Sequence, residues 1–190
     1  MNLTRLLLIT LFVLSGTAFI NAQENKCTLK IEQAPELRGF RLGMTWDQVK
    51  AYVPGIEVIV RPEFDFFQEA MISNLKLKGI GETVASGVSL INLVFVDNKL
   101  IHIRVDYSDP IEWKSADEFS AKVSNALRLP NAWQSGTEGN EQQLECDGFQ
   151  VKTSPNQIGL SVSGALENMR RRMNQEREKR KEERRKAFKP

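Results

Sequence analysis

Two tight turns near the C-terminal end, at 147–148 and 154–157, constrain the fold more than any other feature. Asp147-Gly148 is the sequence signature of a two-residue hairpin. Together the two turns predict a set of facing residues: Cys146 with Phe149, Leu144 with Val151, Thr153 with Ile158, Val151 with Leu160, and Phe149 with Val162. Because turns of different length place apolar residues on one consistent face, the sequence predicts three antiparallel strands here.

A second hairpin is predicted over 91–105, where apolar residues recur at every second position. A three-residue connection at 97–99 gives these facing pairs: Val96 with Leu100, Phe95 with Ile101, and Leu93 with Ile103. A two-residue turn would slip the register by one and place Leu93 opposite His102. We therefore expect the three-residue connection, which puts six apolar residues on one face and points His102 towards solvent.

Two short helices are predicted to cover the sheet. Thr45 can cap a helix over 45–53, because its hydroxyl can accept from the backbone N–H of Gln48, whose side chain can reach back. Ser115 and the glutamate three residues later repeat this pattern at the start of a helix over 115–129.

Residues 63–78 carry two further patterns. Phe64, Phe67 and Met71 recur at helical spacing, which predicts a helical stripe packed in the core or, alternatively, exposed as an aromatic pad for a partner. Residues 75–78 alternate leucine with lysine, which is typical of a half-buried strand.

The start of the first helix has the pattern G-M-T-x-x-x-V, carried by Gly43, Met44, Thr45 and Val49 within residues 42–55. It resembles the helix start of small secreted bacterial modules with a β-lactamase-inhibitor-protein-like fold, which include the small lipoprotein of the outer-membrane β-barrel assembly machinery. The resemblance covers a small part of the chain. It implies a helix packed on an antiparallel sheet, and a binding or assembly role rather than catalysis.

Residues 1–22 have the form of a secretion signal, with Arg5 in the basic region, an apolar run at 6–14 and a small residue, Ala22, at the cleavage site. A retained anchor is the alternative. Lipidation is not expected, because Cys27 does not directly follow the cleavage point. We expect an exported protein, in the periplasm or outside the cell, with no transmembrane span in the mature chain.

Cys27 and Cys146 are the two cysteines of the chain. In an oxidising compartment an isolated pair is most simply a disulfide, and two buried free thiols are the alternative. A zinc site is not expected, because the cysteines form no CxxC pair and His102 is the single histidine. No cofactor is expected either, since the glycine spacings of phosphate-binding loops are absent.

The charge of the chain changes sign near its C-terminal end. Residues 167–190 contain 11 Lys or Arg and 5 Glu, a net charge of +6, whereas 23–166 carry a net charge of −5. A lone helix of this composition is marginal, so 167–190 are expected to be helical or disordered. Seven arginines offer guanidinium forks that suit phosphate or carboxylate groups of an anionic surface: Arg170, Arg171, Arg172, Arg177, Arg180, Arg184 and Arg185. Nucleic acid is not an expected partner of a secreted chain whose basic segment has no interleaved aromatic residue except Phe188.

The sequence therefore predicts one α+β domain over 23–166, a mostly antiparallel sheet packed by two short helices, followed by a charged C-terminal helix or tail. The expected function is a secreted or periplasmic, non-enzymatic module that binds a protein or an anionic envelope component. A structural envelope protein without a small ligand is a further possibility.

An enzyme is the rival interpretation. A carboxylate-dependent hydrolase of the cell envelope would use groups such as Asp106 and Glu145, and would need a concave pocket in which two carboxylates converge. A catalytic role for His102, beside Arg104 and Asp106, is a second enzymatic alternative, but a solvent-facing strand residue is the simpler interpretation. We assign no catalytic residue.

Overall fold

The structure, a computed structural model, describes residues 26–73, 87–108, 113–136 and 139–188. The predicted secretion signal at 1–22 and the predicted strand at 75–78 lie outside these ranges. Within them the chain is α+β, as the sequence predicts: an antiparallel sheet with helices, the last of which lies at the C-terminal end.

The sheet contains eight strands among the described residues, in the order β1-β2-β3-β4-β8-β7-β6-β5, with every neighbouring pair antiparallel. The strands are β1 Val58–Val60, β2 Phe67–Ser73, β3 Val88–Val96, β4 Lys99–Tyr107, β5 Gln134–Ser135, β6 Gln142–Glu145, β7 Phe149–Ser154 and β8 Gln157–Val162. The contact of β4 with β8 joins two meanders into one sheet.

Three α-helices are present in the described part of the chain: α1 Trp46–Tyr52, α2 Ala116–Leu127 and α3 Ala165–Ala187. A short 3-10 turn at Ile31–Gln33 precedes them. The charged segment, which the sequence predicts to be helical or disordered, is therefore helical as far as Ala187.

The predicted caps of the two short helices differ in detail. At α1, Thr45 Oγ1 accepts from Gln48 N (3.3 Å) and Gln48 Oε1 accepts from Thr45 N (2.9 Å), which confirms the reciprocal cap. At α2, Ser115 Oγ accepts from Glu118 N (3.1 Å), but the Glu118 carboxylate accepts from Lys114 N instead of Ser115 N. Of the two hydrogen bonds predicted for the second cap, one is therefore present and the other is not.

The C-terminal meander has the predicted register. Its facing pairs include Leu144 with Val151, Thr153 with Ile158, Val151 with Leu160, and Phe149 with Val162. Cys146 N donates to Phe149 O (2.9 Å), as the two-residue turn requires.

The prediction of a three-residue connection in the β3–β4 hairpin is wrong. The turn has two residues, Asp97 and Asn98, whose φ angles of +48° and +59° are those of a primed hairpin turn that Asp and Asn tolerate. Phe95 consequently faces Leu100, and a bulge then restores the predicted pair of Leu93 with Ile103. Two pairs next to the turn carry the shift, Val96 with Lys99 and Phe95 with Leu100, whereas Val94 faces His102 in the predicted register.

The helical stripe predicted around 64–71 is also wrong, because the chain from Phe67 onwards pairs with β3 and forms strand β2, and Phe64 lies in the connection before it. Phe64 and Phe67 are buried, as core packing would require, whereas the Met71 side chain is 45% exposed. The helical spacing of Phe64, Phe67 and Met71 is coincidental, and pairing with strand β3 determines the conformation.

The sheet carries a hydrophobic core on each side. One core packs α1 and α2 on the sheet through residues such as Val49, Phe119 and Val123. The other packs Met173 of α3 against the opposite face, to which Ile101, the residue that the bulge leaves without a partner on β3, also contributes. The bulge thus divides the apolar residues of β4 between the two cores instead of keeping them on one face.

The predicted disulfide between Cys27 and Cys146 is confirmed, with a Cα–Cα distance of 4.7 Å. It fastens the start of the described chain to the β6–β7 hairpin. Asp147 N donates to Leu29 O (2.9 Å) beside it, so the segment follows the hairpin for a few residues.

Candidate functional sites

Helix α3 is held on the second face of the sheet by its N-terminal half. Gly164 caps it in a left-handed conformation (φ +67°), which lets the chain turn directly from β8 into the helix. Leu166, Met169 and Met173 recur at helical spacing and pack on the second core. The helix is therefore a fixed part of the fold at this end.

Arg172 fastens the same part of α3 to the β3–β4 turn. Its Nη1 donates to Asp97 Oδ2 (2.7 Å), and its guanidinium carbon lies 3.9 Å from the centre of the Phe66 ring. Arg171 is also engaged, as a donor to the Asn168 side chain. Arg172, which the sequence analysis assigns to an anionic surface, therefore has a role within the fold.

The C-terminal half of α3 presents arginines where its N-terminal half presents apolar residues. Arg177, Arg180 and Arg184 continue the helical face of Met173, at spacings of i, i+3 and i+7. With Phe64 and a few neighbours they line a cleft of about 620 Å³ between the helix and the turn before β2. We call this the arginine cleft: Glu63, Phe64, Arg177, Arg180, Glu183, Arg184 and Ala187.

The electrostatics of the arginine cleft favour an anion. Arg177 lies over the Phe64 ring at 5.4 Å from its centre. Neither Arg180 nor Arg184 forms an ion pair with any residue that the structure describes. Three guanidinium groups face two carboxylates in the cleft, so one positive charge is in excess.

The acidic residues on the outer side of α3 are partly neutralised by lysines of the same helix. Lys186 pairs with Glu182 (2.8 Å) and Lys181 with Glu178 (3.6 Å). Of the seven arginines predicted to contact an anionic surface, the structure thus brings three together in one cleft. It leaves Arg170 and Arg185 exposed elsewhere on the helix.

A second cleft, of about 650 Å³, lies on the other side of the sheet beside α2. We call it the apolar cleft, and its main lining residues are Leu37, Tyr107, Trp113, Phe119, Val123 and Ile158. Charged and polar side chains at its edge include Arg38, Lys122 and Asn156. No sequence pattern indicated this cleft, because its lining residues come from parts of the chain that are far apart in sequence.

The carboxylates of the hydrolase hypothesis do not converge. Asp106 lies on β4, where it accepts from Gln157 Nε2 (2.7 Å) and has Arg104 Nε at 3.4 Å. Glu145 lies on β6, and two strands, β8 and β7, separate it from β4. Three strand spacings amount to roughly 14 Å, which exceeds the separation used by the carboxylate pairs of glycosidases.

His102 is partly buried, so the prediction of a solvent-facing side chain is wrong in degree. Its Nδ1 lies 3.1 Å from Ser161 Oγ. Burial, and secondarily the Arg104 guanidinium, lower the pKa of His102 from 6.5 to about 4. The imidazole is therefore neutral at neutral pH, and its partner Ser161 is itself almost fully buried.

Comparison with protein-family models, with curated proteins and with solved structures finds no match to this chain. The resemblance of residues 42–55 to a secreted module therefore remains a prediction. In the part of the chain that the structure covers, no helix has the length and apolarity of a membrane span. The same residues include no cluster of three or more His, Cys, Asp or Glu placed to hold a metal.

Proposed function

We propose that this protein is an exported, non-enzymatic module that attaches to an anionic component of the cell envelope through α3. The single observation that carries the proposal is the arginine cleft, in which Arg177, Arg180 and Arg184 share one helical face. The Cys27–Cys146 disulfide is compatible with export to an oxidising compartment.

The chemistry of the arginine cleft suits phosphate or carboxylate groups. A guanidinium group donates two parallel hydrogen bonds to either oxyanion, and it loses less hydration than an ammonium group when it does so. Arg180 and Arg184 need no rearrangement of an existing ion pair among the described residues before they bind. The Phe64 ring supplies an apolar floor.

The fixed position of α3 makes such binding less costly. Its N-terminal half is already ordered by Met173 and by the Arg172–Asp97 ion pair. The helix backbone that carries the arginines is therefore ordered before binding, so the entropy cost is confined to their side chains. Each basic residue near an anionic lipid surface contributes about 1 kcal/mol, so we expect weak, salt-sensitive attachment.

The enzymatic alternative has weaker support. The separation of Asp106 and Glu145 by two strands argues against a paired-carboxylate hydrolase, and the low pKa of His102 argues against a general base at neutral pH. A protein partner of the arginine cleft would need an acidic surface.

The experiment is co-sedimentation of the mature protein with vesicles of phosphatidylglycerol and phosphatidylcholine, and with vesicles of phosphatidylcholine alone. The test variant is Arg177→Gln/Arg180→Gln/Arg184→Gln. The matched control, Lys179→Gln/Arg185→Gln/Lys186→Gln, removes the same charge from the outward face of α3. We expect the test variant to lose at least tenfold more binding to anionic vesicles than the control, and added salt to release the wild type.

Three outcomes would contradict the proposal. Equal losses in the two variants would reduce the effect to net charge, and binding that resists high salt would exclude the electrostatic mechanism. No binding to anionic vesicles, nor to a soluble acidic polysaccharide in a parallel arm, would exclude an anionic envelope ligand. Binding to the polysaccharide alone would keep the oxyanion chemistry and reject the lipid source.

A further inference from the structure

We propose that the apolar cleft binds a single-chain amphipathic carboxylate, with the chain along α2 and the carboxylate at Lys122 on the rim. This inference is independent of the proposed function, because α2 and α3 lie on opposite faces of the sheet. The inference assigns a ligand to the apolar side chains that remain accessible in this cleft.

The dimensions of the apolar cleft suit a small ligand. Its volume of about 650 Å³ lies within the range of pockets that hold small molecules, roughly 300–1,000 Å³. Along α2 it extends from Phe119 to Leu127, eight residues and so about 12 Å of helix. A groove of this length along one helix matches an extended chain better than a compact molecule.

The walls of the cleft are aromatic and only partly covered. Trp113 and Phe119 pack with their ring centres 5.1 Å apart, and both Trp113 and Tyr107 remain partly exposed towards the cleft. Covering apolar surface is favourable in proportion to the area removed from water. The aromatic walls therefore supply the driving force for binding of an apolar chain.

The charges at the rim select the sign of the ligand. Glu36 is already paired with Arg41 (2.7 Å), outside the set of residues that line the cleft. Lys122 is exposed and forms no ion pair within the described ranges, and the Arg38 guanidinium lies over the Tyr107 ring, 5.5 Å from its centre. Lys122 therefore places a positive charge at the rim, which favours a carboxylate over an ammonium head group.

Asn156 gives an independent indication that the wall is incomplete. It lines the cleft, and its Oδ1 is buried without a hydrogen-bond partner in the part of the chain described. Buried acceptors of this kind are normally satisfied, so an unpaired one marks a place where water or a ligand completes the wall.

The experiment is titration calorimetry of the mature protein with dodecanoate, below its micellar concentration. Dodecyltrimethylammonium, with the same chain and the opposite charge, is the comparison ligand. The variant Ala126→Phe places a ring in the cleft from an exposed helix position, and Asn125→Phe adds the same ring outside the cleft. Lys122→Gln tests the rim, with Lys114→Gln as its control.

We expect saturable binding of one dodecanoate, at least tenfold weaker binding to Ala126→Phe, and no change for Asn125→Phe. Lys122→Gln should weaken binding roughly two- to fivefold, as expected for one partly exposed charge pair. The Arg177→Gln/Arg180→Gln/Arg184→Gln variant should bind dodecanoate as the wild type does. The vesicle experiment and the calorimetry therefore test the two clefts separately, and either proposal can fail without the other.

Several results would overturn the inference. Absence of saturable binding, or equal affinity for the cationic amphiphile, would reject the ligand class. Dodecanoate binding that survives Ala126→Phe would place the site elsewhere. Concentration-dependent dimers that Ala126→Phe abolishes, measured by light scattering, would assign the cleft to a second copy of the chain instead.

Discussion

Arg172 of α3 donates to Asp97 at the tip of the β3–β4 hairpin, and the neighbouring residue, Asn98, accepts from Trp46 N at the start of α1 (3.1 Å). One two-residue turn therefore contacts helices on both faces of the sheet. Gly43 and Met44 bond to the backbone of Leu100 just beyond the turn, which strengthens the contact with α1. The tip of the hairpin thus connects α3 to the start of α1 through direct side-chain hydrogen bonds.

The first prediction concerns the attachment of α3 at Arg172. Because both partners of its ion pair are about half exposed, Arg172→Gln should lower the free energy of unfolding by only about 1 kcal/mol, including the loss of the Phe66 contact. A double-mutant cycle of Arg172→Gln with Asp97→Asn, measured by urea unfolding, should give a coupling of a few tenths of a kcal/mol that salt reduces. Additive losses would show that the ion pair contributes nothing.

The second prediction separates the two roles of Asn98. Asn98→Gly keeps the positive φ of the turn but removes the acceptor for Trp46 N, so it should cost about 1 kcal/mol of stability. Asn98→Ala also strains the backbone and should cost about 1 kcal/mol more. Thermal unfolding of both variants tests this order, and an alanine variant as stable as the glycine variant would contradict it.

The parts of the fold that the sequence predicts are those in which local signals agree. Asp147-Gly148 and the next turn determine the meander, and Thr45 with Gln48 determines the start of α1. Sequence reasoning failed at Asp97-Asn98, because a primed turn with a bulge gives the same pairing of Leu93 as a longer turn. It failed at 64–71, because from Phe67 onwards pairing with β3 overrides helical spacing. Neither cleft could be predicted, since each combines residues distant in sequence.

The third prediction tests the assignment of 67–73 to a strand in which Met71 is exposed. Met71→Asp should change the free energy of unfolding by less than about 1 kcal/mol, because the Met71 side chain is 45% exposed. Leu93→Asp should unfold the protein, since it would place an unpaired charge in the core. Circular dichroism with urea titration compares the two, and a severe loss in Met71→Asp would reject the strand assignment.

The fourth prediction concerns Cys27 and Cys146, which close a loop between positions 119 residues apart. Replacing both cysteines by serine should cost about 2–4 kcal/mol, because the cross-link restricts the unfolded chain. Mass spectrometry of the non-reduced protein should recover the linked peptides. Two freely alkylated thiols in protein secreted under oxidising conditions would contradict the disulfide.

The last prediction is a pH dependence that originates at His102. Its pKa is about 4 in the folded protein, against 6.5 for an unperturbed histidine, so the unfolded chain binds the proton more strongly. The folded state therefore loses stability as the pH falls from 6.5 towards 4, and the full contribution is present above 6.5. Between pH 7.5 and 4.5 this loss should be on the order of 2–3 kcal/mol.

Urea unfolding of the wild type and His102→Gln at both pH values isolates the effect, because the carboxylates titrate equally in the two proteins. The variant should show the smaller decrease, and an equal decrease would assign the pH dependence to other groups.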